Sequence, residues 1–138
     1  MKTSKRFKLV MVSIAIIALL TTGVFARLSS NTVDPIVKFA PNNKILVATG
    51  PIECTKGDNL SLEVIVTQRE NAAIARGKLE TTCTGAIQQW EVNTKPESKF
   101  KTGTATAWVL ATTRDNKKIT DVDQWSREVT VVSQNQRY

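Results

Sequence analysis

The stretch that decides the fold is LSLEVIVTQ at residues 60–68, in which apolar and polar side chains alternate. Leu or Val fills every even position up to Val66, and the odd positions between them are polar except for Ile65. Successive side chains of a strand point to opposite faces, so this alternation predicts a strand with one buried face.

The same alternation recurs along the chain between short runs of turn-forming residues such as Gly50-Pro51 and Asp115-Asn116. Between them we predict strands at residues 36–40, 45–49, 52–55, 60–68, 73–82, 86–93, 102–113 and 124–132. No helical crossover separates these strands. The expected fold is therefore an all-β, antiparallel immunoglobulin-like sandwich of about seven to eight strands, with a small β-barrel as the alternative.

The first residues have the composition of an export signal. Residues 1–8 carry basic side chains and no acid, residues 9–24 are apolar or small, and Val24-Phe25-Ala26 matches a signal peptidase site. Cleavage after Ala26 is predicted. The chain then divides into a signal peptide at 1–26, a flexible lead-in at 27–34, a β-sandwich domain at 35–132 and a flexible tail at 133–138. An uncleaved anchor is the alternative, because the apolar run is near the lower limit of about 17 residues for crossing a bilayer.

The two cysteines, Cys54 and Cys83, lie beyond this segment. An even number of cysteines in an exported chain predicts a disulfide bond, here closing a loop for which the chain-entropy relation gives roughly 3.5 kcal/mol of stabilisation. The expected location is secreted, or periplasmic within the cell envelope.

Composition excludes several functional classes. The chain has no histidine, which removes Ser-His-Asp and Cys-His catalysis and histidine-ligated metals. Its net charge of +7 falls to +3 when the four basic residues of the signal peptide are removed from the 19 that oppose 12 acids. A charge this small, spread over the domain, does not predict nucleic-acid binding. We expect no cofactor, no metal and no catalytic residues.

The three tryptophans suggest a carbohydrate-binding platform, and each is assigned a place from its strand face. Trp125 lies on the same face as Arg127 and is expected to form a cation-π contact that closes one edge of the core. Trp90 shares a strand face with Val92 and is expected in the core. Trp108 lies opposite a row of small residues (Ala105, Ala107, Val109, Ala111), which suits a closely packed inner face. Trp108 is therefore predicted to face outward as a possible binding surface.

Several short motifs carry a resemblance over most of the exported part of the chain. They are Ile52-Glu53-Cys54, residues 62–68, Cys83-Thr84-Gly85 with Gln89-Trp90, and residues 100–105. Together they resemble small exported bacterial proteins that have an immunoglobulin-like sandwich and no assigned activity. The resemblance implies a fold and an exported location, and it implies no active site. Trp90 follows both cysteines here, whereas antibody domains place a tryptophan between them.

These observations predict an exported, non-enzymatic binding or interaction module with an unknown protein or glycan partner. Membrane contact is expected only through the signal segment, if that segment is not cleaved. The alternative is a small exported inhibitor, or an enzyme whose site forms only in three dimensions.

Overall fold

The computed structural model describes residues 28–133, so the predicted signal peptide and the tail beyond Ser133 lie outside the described residues. Within this range the chain forms eight strands and a short 3-10 turn at Arg69–Asn71. The strands are β1 (Leu28–Ser29), β2 (Ile36–Phe39), β3 (Leu46–Cys54), β4 (Asn59–Gln68), β5 (Ala73–Thr82), β6 (Ile87–Pro96), β7 (Gly103–Asp115) and β8 (Lys118–Val132).

Seven of these strands form one closed barrel. Their order is β3-β2-β8-β7-β4-β5-β6, and β6 pairs back with β3 over the whole stretch from Leu46↔Thr94 to Glu53↔Ile87. The two-residue β1 lies outside this ring and pairs with the end of β3. The predicted open sandwich is therefore wrong, and the alternative small barrel fits. A sandwich and a barrel both bury one face of each strand, so the alternation of apolar residues does not distinguish them. The β3–β6 pairing, which closes the sheet, identifies this fold as a barrel.

One pairing departs from the expected antiparallel arrangement. β2 runs parallel to β8, with Ile36 opposite Thr130, whereas the other pairings of the described strands are antiparallel. Strand β2 also pairs antiparallel with β3, so it lies between β3 and the last strand of the chain.

The predicted break at Gly50-Pro51 does not occur, because β3 continues through it. Proline lacks a backbone N–H and is tolerated where one strand edge needs no donor. Pro51 lies between the pairings of β3 with β2 at Leu46 and with β1 at Glu53, a stretch where that edge makes no ladder.

Strand β8 begins at Lys118 and not at Gln124 as predicted. The turn before β8 lies where the sequence predicts one. Its central residues, Asn116 and Lys117, both have positive φ, of 49° and 70°. Two-residue hairpin turns of this kind match the right-handed twist of the strands that they join. The early part of β8 escaped prediction because exposed Ile119 and Val122 interrupt its alternation.

The core fills the barrel interior. The small row of β7 faces inward, as predicted, and is buried together with the Leu and Val row of neighbouring β4. Trp90 is buried, also as predicted, and its indole lies over Gly50. A Cβ at Gly50 would fall 2.7 Å from Trp90 Cζ2 and 2.3 Å from the Thr32 carbonyl oxygen, so this position requires glycine.

The segment predicted as a lead-in contributes to this core. Leu28 and Val33 are buried and belong to the hydrophobic core cluster. The Leu28 N–H donates to Asp121 Oδ2 at 3.0 Å, and Asn31 Nδ2 donates to Asp123 Oδ2 at 2.9 Å. Residues 28–34 therefore belong to the folded domain, tied to the edge of β8 by two carboxylates.

The predicted disulfide is present. Cys54 and Cys83 are bonded with their Cα atoms 5.4 Å apart, and both are buried. The bridge joins the end of β3 to the loop between β5 and β6. We call this the disulfide end of the barrel; loops 40–45 and 97–102 lie at the opposite end.

Candidate binding surface

Trp108 lies on the outer face of β7. Its side chain is 48% exposed, whereas Ala107 and Val109 on either side of it are buried. The predicted face assignment is confirmed. The binding role of Trp108 stays a prediction.

The indole of Trp108 has a defined orientation on the barrel wall. Its Nε1–H donates to Thr67 Oγ1 on β4 at 3.3 Å, and Ile65 of β4 is its register neighbour. A large side chain held by a neighbouring strand loses little further rotamer freedom when a partner binds it.

Other apolar side chains extend this surface across three strands. Leu110 of β7 is 39% exposed, and half-buried Ile65 of β4 is paired with Trp108. Val122 of β8 is 52% exposed and is paired with Thr112, the next outward residue of β7 after Leu110. We call Ile65, Leu110 and Val122 together with Trp108 the Trp108 face. A hollow of about 360 Å³ lies on it, lined by the apolar residues of β4 and β7, by Trp125 of β8 and by the polar residues Glu63, Gln124 and Ser126.

A second hollow, of about 460 Å³, lies on the other side of the indole. Apart from Trp108 and Ala105, the residues that line it are polar: Thr67, Arg69, Thr104, Thr106 and Glu128. Trp108 therefore stands between an apolar hollow and a polar one. This arrangement presents a flat apolar surface within a rim that both donates and accepts hydrogen bonds.

The sequence carried part of this surface. Leu110 occupies the same outward row as Trp108, and Ile65 is the apolar exception in the alternation of residues 60–68. Either residue marks an apolar outer face once β4 and β7 are known to be neighbours. Val122 was missed because the predicted eighth strand began after it.

Polar side chains that converge inside the fold connect loops to strands. Buried Gln68 receives the Lys101 N–H on Oε1 and donates Nε2 to the Lys101 carbonyl, both at 2.8 Å. Asp58, also buried, accepts from Thr120 Oγ1 at 3.0 Å and so ties the turn after β3 to β8. The side chains of Gln68 and Asp58 therefore have a structural role.

Asp121 and Asp123, the carboxylates spaced by two, act in the same way on residues 28–31. Among residues 28–133, no group of three or more metal-ligating side chains is placed to hold a metal ion. In the same range, no helix has the length and apolar composition needed to cross a membrane.

No protein-family model matches the chain, and no curated protein matches it significantly. The functional interpretation therefore depends on the geometry of the barrel itself. The disulfide is compatible with an extracellular location, since such bonds persist in oxidising compartments.

Proposed function

We propose that this protein is an exported, non-enzymatic binding module that acts in the secreted fraction or the cell envelope and contacts a partner through the Trp108 face. The observation that carries the proposal is a half-exposed tryptophan, oriented by a hydrogen bond and flanked by Ile65 and Leu110, on the outer face of a closed barrel. Export is supported by the residue pattern of positions 1–26 and by the disulfide.

The composition of the face supports a protein partner. Tryptophan is enriched among the residues that dominate binding energy, and such residues lie centrally with a surrounding rim that excludes water. Here Leu110 and Ile65 surround the indole, and Glu63, Gln124 and Ser126 form the rim. Isolated apolar residues need no explanation, whereas a contiguous group on one face indicates a contact site.

The glycan alternative predicts a different dependence on neighbouring residues. A sugar ring stacks on the indole and takes hydrogen bonds from polar neighbours, so it uses Trp108 and the polar hollow. A polypeptide also covers Leu110. Replacing Leu110 therefore distinguishes the two classes of partner.

The test is affinity capture from native culture medium and envelope extract with the exported protein as bait. Three variants are compared with the parent: W108A, L110A and I87A. Ile87 is 64% exposed on β6, away from β7, and serves as the matched control for loss of an exposed apolar side chain.

The proposal expects a protein that is retained by the parent and by I87A and lost with W108A and L110A. Titration of that purified protein should then show an affinity reduced at least about tenfold by W108A, the change that 1.4 kcal/mol produces. If W108A retains the same protein as the parent does, the proposal is contradicted. Binding of an envelope polysaccharide that needs Trp108 but not Leu110 would assign a glycan partner instead.

A further inference from the structure

A depression at the end of the barrel opposite the disulfide has a composition unlike that of the Trp108 face. It lies between loops 40–45 and 97–102, holds about 580 Å³, and is lined on its apolar part by Phe39, Pro96 and Phe100. Three lysines, Lys44, Lys95 and Lys99, line the same depression, and no acidic residue does. We call it the lysine basin.

The acid nearest in sequence to Lys95 and Lys99 is paired with another residue and does not line the basin. Glu97 lies between Lys95 and Lys99 in sequence, yet its carboxylate faces Arg76 on β5, with Oε1 3.4 Å from Nε. In the part of the chain that the structure describes, none of the three lysines forms an ion pair. Like charges lining one concavity attract anions into it.

Hydrogen bonds hold both walls of the basin in place. The side chain of Gln68 binds the backbone of Lys101 through two hydrogen bonds, and the Glu97 N–H donates to the Ile74 carbonyl at 2.8 Å. On the other wall the Ala40 N–H donates to the Ile45 carbonyl at 2.8 Å. A ligand that enters between such walls pays little ordering entropy.

We propose that the lysine basin binds a small multivalent organic anion that carries an apolar group. Lysine stems cover apolar surface while their ammonium groups reach outward, so charge and apolar floor are offered together. An ammonium ion contacts phosphate or carboxylate as a point charge. The volume lies within the range of about 300–1,000 Å³ that small-ligand sites occupy. This site is separate from the Trp108 face and does not depend on it.

The test uses three probes with the purified protein: phenyl phosphate, inorganic phosphate and benzyl alcohol. Binding is measured by calorimetry and located by amide chemical shifts. The variants are K44Q/K95Q/K99Q and, as a matched control, R114Q/K117Q/K118Q, which removes three positive charges at the disulfide end. Thermal melts of both variants establish that each is folded.

Phenyl phosphate should shift amides of loops 40–45 and 97–102 and should bind about tenfold more tightly than either of the other probes. Its affinity should fall at least about tenfold in K44Q/K95Q/K99Q and stay within about twofold in the control. Equal losses in both variants would show a non-specific charge effect and overturn the proposal. Shifts centred on another surface would overturn it too, as would binding of an acidic peptide such as Ac-EEFEE at the basin without any binding of phenyl phosphate.

Discussion

Removing the disulfide tests how the barrel is held closed. Cys54 is the residue directly after the last pair of the β3–β6 seam, Glu53↔Ile87, so the bridge fastens the end of the pairing that makes the sheet a barrel. Two backbone hydrogen bonds lie beside it, from the Gly57 N–H to the Cys83 carbonyl and from the Cys83 N–H to the Asp58 carbonyl. These bonds do not need the bridge, and we expect the reduced protein to keep the same fold.

The magnitude follows from the sequence separation of 29 between the two cysteines. Closing a loop of this size removes unfolded-state entropy equivalent to about 3.6 kcal/mol at 25 °C. A domain of ordinary stability has about 5–15 kcal/mol in total. Reduction is therefore expected to remove a quarter or more of the free energy of unfolding.

The assay is urea unfolding followed by tryptophan fluorescence, which changes as buried Trp90 and partly buried Trp125 become exposed to water. The oxidised protein, the same protein in a phosphine reductant, and the variant C54A/C83A are compared. The last two should each lose about 3–4 kcal/mol, and the reductant should have no effect on the double variant. In the reduced protein and in C54A/C83A, backbone amides of the β3–β6 seam should also exchange hydrogen with solvent faster than those of β4 and β7.

An unfolding free energy that changes by less than about 1 kcal/mol, with two free thiols confirmed by mass, would refute this reasoning. It would mean that reduction does not increase the conformational entropy of the unfolded chain, or that the backbone hydrogen bonds between β3 and β6 keep the barrel closed without the bridge.

Three further substitutions test other parts of the fold, each by urea unfolding. W108A should cost about 1–2 kcal/mol because roughly half of its indole is already in water, whereas W90A should cost about 3–5 kcal/mol; equal losses would reverse the face assignment. G50A should cost about 3 kcal/mol through the clash with Trp90, and G57A only about 1 kcal/mol from backbone strain, since a Cβ at Gly57 meets nothing within 4 Å; the opposite order would contradict the packing described. Q68A should cost about 2–4 kcal/mol, since it leaves both backbone groups of Lys101 without their partner, and a loss under about 0.5 kcal/mol would show that loop 97–102 is held by other contacts.

Much of the candidate site was predictable from local pattern. Trp108 faces outward because the small row of β7 faces inward, and that assignment needs only the period of two along one strand. Which residues surround Trp108 on the surface was not predictable. Ile65 and Leu110 become neighbours only because β4 pairs with β7, and strand order is not encoded in the spacing of residues along either strand.

The lysine basin illustrates the same division. Two of its lysines, Lys95 and Lys99, are close in sequence, but Lys44 lies about fifty residues earlier and joins them through the way the loops meet at one end of the barrel. The absence of acid from its lining depends on Glu97 turning toward Arg76, a choice made by the path of loop 97–102.

By itself, the sequence determined that the protein is all-β, that residues 60–68 bury one face, that Cys54 and Cys83 pair, and that Trp90 is inside while Trp108 is outside. These properties follow from the alternation of side chains along single strands and from the presence of two cysteines, and neither depends on the order of the strands. The tertiary structure alone decided that the sheet closes, that β2 runs parallel to β8, and that Leu28 and Val33 are buried in the core. Each of these depends on which strand edges meet. Edge pairing uses backbone groups that every residue carries, so a single sequence records it only weakly.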